Sequence, residues 1–312
     1  MRIFIIFTSL SFLITFIGCF NSENQRDTSE YIISKESGKI ILAYKAFFDF
    51  LDTDKSWDNY NKMLLGAYPE VRLVHDRQLG WGAIDSLKFP SEVENYKMED
   101  WEKFINQYSD EEVNILYDSI IIKAHKILKP VNDNPVNLCL FLPYGGCFID
   151  PGDTVITIYI SLHINPVDVR KIMAHEYAHN LHFQRRPEET VTLKREIVSE
   201  GFAVYFTTQI LEDMELLKAI PFMSEASVKW CLDNEQIIKD SLYADLNDST
   251  DEFMYKYIAD GDFATPPDGF VQKTAYFAGC RIIENCINKG MKLEELCSLN
   301  SDEIIERSGY FN

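Results

Sequence analysis

The chain has 312 residues, of which 46% are hydrophobic and 25% charged, a balance that excludes wholesale disorder and supplies material for a sizeable core. Its 49 acidic residues against 30 basic ones give a formal net charge of -19, which argues against a nucleic-acid backbone or an anionic lipid surface as partner. No repeat with a period of about 20–50 residues is visible, so a solenoid or propeller is excluded as well.

The chain starts with a basic Arg2, an apolar run over 3–17 and a small Gly18 before Cys19. That order is the pattern of a secretory signal, and the run falls short of the roughly 20 residues a spanning helix needs. Phe16-Ile17-Gly18-Cys19 resembles the lipobox of bacterial lipoproteins, with Phe16 where leucine is usual. The resemblance implies removal of residues 1–18 and lipid on Cys19, hence an exported protein anchored to a bacterial membrane. Phe20 is not the aspartate associated with inner-membrane retention, so the outer membrane stays open. Residues 19–30 then serve as a polar tether.

Residues 31–130 read as a helical N-terminal region. Ile41, Tyr44, Phe48 and Leu51 share a stripe in 40–51, and Met98, Trp101, Phe104 and Ile105 do so in 97–108. The segment 111–128 predicts a strong helix ended by Pro130. Gly80-Trp81-Gly82-Ala83 reads as a surface turn, or as a loop at a cleft rim. The apolar 136–144 and the β-branched 154–164 predict two strands, with a hairpin at Leu142-Pro143-Tyr144-Gly145-Gly146 that Cys139 and Cys147 flank. A local Cys139–Cys147 disulfide is therefore conceivable, although six cysteines besides Cys19 permit fifteen pairings and sequence does not choose. Helices are expected over 167–184, 190–213, 222–242 and 272–288. Helices, a small sheet, then helices make an α+β chain.

His175-Glu176-Tyr177-Ala178-His179 carries the chemistry. Histidines four apart on a helix lie one turn above each other and can converge on one cation. Glu176 sits beside that point, where a carboxylate can take a proton from an activated water. Glu200 lies among apolar neighbours in 193–211, a costly place for a carboxylate unless it is paired or bound to a metal. Adjacent Gly201 removes a side chain and lets the two helices pack closely. His182, seven residues after His175, would need one straight helix to supply three ligands over about 10 Å, which a single zinc does not bridge. Glu196 could orient a histidine through its other nitrogen, or be a surface ion-pair partner. His125 and His163 read as structural.

This arrangement resembles the Glu-zincin metallopeptidases, in which the His-Glu-x-x-His helix is followed by a second helix bearing a glutamate ligand. Twenty residues separate His179 from Glu200, close to the spacing of that class. Ser199-Glu200-Gly201-Phe202-Ala203 is similar to the Asn-Glu-Gly-Phe-Ala run of zinc aminopeptidases. Over roughly 130–290, with Tyr276 and Gly279 downstream, the chain looks most like a bacterial family known only as predicted zinc-dependent proteases. The resemblance implies a zincin-like fold over 131–312, with zinc held by His175, His179 and Glu200, and Glu176 as general base acting on peptide or protein substrates. It also implies a substrate-lining strand at 154–164, to which a peptide adds as a further strand. No histidine follows His182, so the oxyanion stabiliser is assigned to Tyr276, with Tyr255 and Tyr257 as rivals. The competing reading is a non-catalytic lipoprotein that keeps the fold to bind peptide or protein.

Overall fold

Two neighbouring β-branched runs and a string of amphipathic segments fold into one mixed sheet with helices packed around it. The computed structural model describes residues 28–102, 109–152, 154–162 and 168–312. The signal and lipidated cysteine expected within 1–19, most of the tether, and Phe104, Ile105 and His163 lie outside the described residues.

Five strands form the sheet: β1 (Ile32–Lys35), β2 (Gly38–Leu42), β3 (Val136–Phe141), β4 (Cys147–Asp150) and β5 (Ile156–Ser161). Their order is β1-β2-β3-β5-β4, with β2, β3 and β5 parallel and the outer pairs antiparallel. β3 and β5 are buried at every residue, as parallel strands covered on both faces should be. One register row runs Ile32, Ile41, Cys139, Tyr159, Phe148 across the whole sheet.

Three expectations change here. Residues 32–42 are strands rather than the start of a helical region, and helix α1 (Ala43–Leu51) begins only after them. Of the expected stripe, Tyr44 and Leu51 are buried on α1, Ile41 is buried in β2 instead and Phe48 is half-buried, while Phe47 and Phe50 complete the buried face. β3 and β4 do not form a hairpin, because β5 is inserted between them. Two strand spacings put Cys139 and Cys147 about 10 Å apart, beyond the reach of roughly 7 Å for a disulfide; both thiols are free. β5 is consequently internal, and the exposed edge next to it is β4.

The longer helices that follow are α2 (Pro69–Gly80), α3 (Asp110–Ile127), α4 (Val169–Phe183), α5 (Leu193–Ile210), α6 (Glu225–Asp233), α7 (Glu235–Asp245), α8 (Thr274–Asn288) and α9 (Ser301–Ser308). α3 starts at a full capping box: Ser109 Oγ accepts from Glu112 N, and Glu112 accepts from Ser109 N. The expected 222–242 helix divides at Asn234 into α6 and α7. α4 lies against β4, β5, α3 and α5, so nearly every residue from Ile172 to His182 is buried. Its sequence is correspondingly apolar on more than one face. α5 is sandwiched between α4 and α8. Among the described residues, no helix is long and apolar enough to cross a membrane.

Gly201 has a different partner from the one expected. It faces α8, where a Cβ would stand 2.2 Å from the carbonyl carbon and oxygen of Gly279. Gly279 is equally tight, since its Cβ would lie 2.1 Å from Ile197 O. Two glycines at one crossing let the α5 and α8 backbones touch. Glu200 precedes one of them and Tyr276 lies about one turn before the other.

Candidate metal centre

Three helices deliver the site. α4 carries His175, Glu176 and His179, α5 carries Ser199 and Glu200, and α8 carries Tyr276. Asp168 caps α4, accepting from Lys171 N at 3.2 Å, and anchors its start beneath the edge of the sheet. On the face of α4 turned away from the cluster, the hydroxyl of Tyr177 meets His125 Nε2 at 2.6 Å and ties α4 to α3.

His175 Nε2 and Glu200 Oε2 are 3.1 Å apart, the two Nε2 atoms are 3.2 Å apart, and His179 Nε2 lies 3.4 Å from Glu200 Oε2. A tetrahedral zinc with bonds of 2.0–2.1 Å sets its ligand atoms about 3.3 Å from one another. The three separations therefore match three edges of such a tetrahedron. All three residues are buried, and lone pairs converging on one buried point repel unless a cation lies between them. The donor set and spacing fit zinc, with one corner of the tetrahedron left to the pocket.

The protonation directions agree with ligation at His175 and Glu200, whereas at His179 burial is outweighed by Glu200, Glu176 and Glu196, which hold its imidazole above its usual range, so a bound metal would displace a proton there. Burial pushes the His175 imidazole down to about 4, so it offers a neutral nitrogen. Burial favours the acid form of Glu200, but the two imidazoles outweigh it and hold the carboxyl far below its ordinary range. Burial pushes the Glu176 carboxyl up to about 7, against the opposing pull of the His179 imidazole. The phenol of Tyr276 is pushed well above its usual range, first by burial and then by the charges of Glu200 and Glu176. It therefore stays a hydrogen-bond donor.

A pocket opens on this cluster. Besides the residues above, Cys147, Phe148 and Ile149 of β4, Phe183, Glu196 and Ser199 line it. The wall strand is thus β4 and not the expected 154–164 segment, because strand order puts β4 at the edge. Phe148 stacks on Tyr159 at 4.6 Å, while Arg77 covers its ring at 4.5 Å and bonds Asp150 at 3.2 Å. Trp81, 62% exposed, presents its ring edge-on to Phe148 at 6.4 Å, so the Gly80–Ala83 turn packs beside β4.

Tyr276 faces His175, with rings 6.0 Å apart and nearly parallel. Its rivals lie elsewhere. Tyr255 is exposed, and the buried Tyr257 donates to Asp245 Oδ2 at 2.6 Å. His182 is buried against Phe202, with rings 4.5 Å apart, and does not join the cluster. Glu196 pairs with Arg195 at 3.1 Å, and the residue that meets the outer nitrogen of His179 is Ser199. With His179 Nε2 aimed at the cluster, Nδ1 carries the proton and donates to Ser199 Oγ at 3.3 Å. The sequence held that residue in view only as context for Glu200.

Residues 93–306, well over half of the chain, match the family model described as "Predicted Zn-dependent protease (DUF2268)". The chain belongs to that family. The match contains all three helices of the cluster and reaches back to residue 93, earlier than the start near 130 that the sequence resemblance suggested. A family of predicted Zn-dependent proteases implies peptide or protein substrates, and this member carries a buried His175, His179, Glu200 cluster able to hold a metal. No curated protein matches the chain.

Proposed function

We propose that the protein is a zinc-dependent peptidase of the Glu-zincin class with a zincin-like fold. His175, His179 and Glu200 would be its metal ligands, Glu176 its general base and Tyr276 its oxyanion donor. The observation that carries the reading is the triangle of donor atoms at 3.1, 3.2 and 3.4 Å with Glu176 in the same pocket. Zinc bound there supplies a Lewis acid that makes water nucleophilic near neutral pH and polarises the scissile carbonyl.

The chain's own residues account for the proton traffic. As water adds to the carbonyl carbon, Glu176, which lines the same pocket as the three donor residues, takes its proton. When the carbon–nitrogen bond breaks, Glu176 returns that proton to the departing amine. The Tyr276 hydroxyl donates to the oxygen that gains charge between those steps. β4, which has no further strand beyond it among the described residues, would give the substrate backbone a strand to pair with. A protein that only bound peptide would have no chemical use for Glu176.

The lipobox at Cys19 motivates the remaining part of the proposal, an exported enzyme anchored by lipid to a bacterial membrane. Radiolabelled palmitate or glycerol incorporated into the native chain and absent from Cys19→Ala tests it. For the chemistry, Glu176→Gln should keep about one zinc per chain and lose hydrolysis of a peptide library by about 10²–10⁴-fold. Wild-type hydrolysis that survives the substitution refutes the mechanism.

A further inference from the structure

A second cavity, of about 300 Å³, is lined by Phe222, Met223, Pro266, Phe270 and Val271 on its apolar side and by Ser227, Gln272 and Lys273 on its polar side. Lys273 connects it to the metal pocket. Its Nζ lies 5.2 Å from the centre of the Phe222 ring and 4.4 Å from that of Tyr276, which lines the metal pocket. One ammonium thus stands between the cavity and the proposed oxyanion donor.

Two features mark this as a built site. Phe222 and Lys273 both have positive φ, 60° and 63°. Among the described residues only Lys55 joins them as a non-glycine residue of that kind. Such conformations are costly for side chains with a Cβ, and they collect at functional sites. Here two of the three touch each other in one cavity wall. In addition, Lys273 is only 6% exposed, and an ammonium is rarely buried without full pairing. Its carboxylate partner is Asp260 at 3.3 Å, whose side chain is 36% exposed. An ammonium has three N–H donors, and two of its neighbours here are ring faces. The approach is held in place from behind: Gln272 Oε1 accepts from Gly261 N, and Gln272 Nε2 donates to Gly261 O, each at 3.1 Å.

An apolar side formed by Phe222, Met223, Pro266, Phe270 and Val271, facing a polar side with one ammonium, suits a ligand that carries an apolar side chain next to a carboxylate. An internal apolar residue of a peptide has no carboxylate, and an acidic residue has no apolar side chain. A C-terminal residue has both. The volume lies at the low end of ligand pockets and suits one residue rather than a longer segment. We propose that this cavity receives the C-terminal residue of the substrate, with its α-carboxylate on Lys273 and an apolar side chain against Phe222 and Phe270. This rests on the peptidase reading and narrows it to cleavage near a free C-terminus.

The test is a binding measurement that does not depend on turnover. The full chain carrying Glu176→Gln and loaded with zinc is titrated by calorimetry with a hexapeptide ending in phenylalanine, as the free acid and as the C-terminal amide. The acid should bind at least about 10-fold tighter. Lys273→Met should bring the acid down to the affinity of the amide, and Lys273→Arg should keep a preference. Phe222→Ala should weaken the phenylalanine peptide more than one ending in glycine. Equal binding of acid and amide by the parent protein overturns the proposal without any further variant. So does a preference that survives Lys273→Met, or failure of both peptides to bind. Hydrolysis of the same peptides by the native chain is read separately. Acid-selective binding without hydrolysis sinks the peptidase reading and keeps the subsite, whereas hydrolysis blind to the C-terminus does the reverse.

Discussion

Gly279→Ala isolates what the α5–α8 crossing does for the site. The new Cβ would meet Ile197 O at 2.1 Å, Gly201 N at 2.8 Å and Gly201 Cα at 2.9 Å. All three are backbone atoms of α5, so no side chain can swing away. Reaching an ordinary 3.4 Å contact requires the helices to part by roughly 1.3 Å. Overpacking of this kind costs about 3 kcal/mol at the upper end of its usual range. Replacing a helical glycine by alanine returns about 1 kcal/mol. The net loss of about 2 kcal/mol predicts, for a chain of this length, a Tm lower by about 3 °C.

The functional consequence separates two helices. α5 is held by α4 on its other side, so α8 is the one that yields, and Tyr276 moves with it. His175, His179 and Glu200 stay on the α4–α5 pair. A shift of about 1 Å in a catalytic group costs about 10²-fold in rate. Bound zinc should therefore remain near one per chain while kcat falls by about that factor, read by elemental analysis and steady-state peptide hydrolysis on the same preparation. An unchanged Tm with unchanged kcat would refute the packing argument. Loss of zinc, with the fraction that still holds zinc turning over at the native rate, would show that α5, not α8, gives way.

Three further outcomes are expected. Tyr276→Phe should lower kcat by about 10²-fold with little change in KM and full zinc content; a drop confined to KM would remove Tyr276 from the oxyanion role. Ser199→Ala should weaken zinc about 10-fold in a competition titration with a chromophoric chelator, the low end for lost support of a histidine ligand because the 3.3 Å contact is long. Chelation should abolish hydrolysis and lower the Tm, with restoration by zinc. At zinc a thousandfold above its Kd the linked stability is about 4 kcal/mol, and a Tm indifferent to zinc would contradict a buried three-ligand site.

The site was legible in the sequence to the extent that its geometry is local. His175 and His179 meet because four residues make about one helical turn, and that needs no knowledge of the rest of the chain. Glu200 could be read because a carboxylate among apolar neighbours demands a reason. What the sequence hid depends on pairing between distant segments. Val136–Phe141 and Cys147–Asp150 look like a hairpin because only a short turn separates them, yet the later Ile156–Ser161 takes the place between them. The edge beside the metal cluster, and with it the strand a substrate can reach, follows from that insertion. Ile40–Leu42 is an apolar run too short for periodicity to distinguish strand from helix. Gly201 announced a close approach but not to which helix.

Lys273 shows the same limit from the other direction. In the sequence it is an ordinary lysine in the first turn of the helix expected over 272–288, which in the structure starts only at Thr274, and nothing in its neighbours signals a left-handed backbone. Its φ of 63° and its 6% exposure arise from tertiary structure. Local preference would put this residue elsewhere in conformational space and its ammonium in water. Conflicts between local preference and the folded state are expected where function constrains a residue. In this chain two such conflicts, Phe222 and Lys273, meet in one cavity wall next to Tyr276. On the proposed reading, α4 would supply the groups that cut a bond, and the strained pair would bear on which bond is presented. Under that proposal, substrate selection lies around Lys273, outside the motif that carries the candidate metal site.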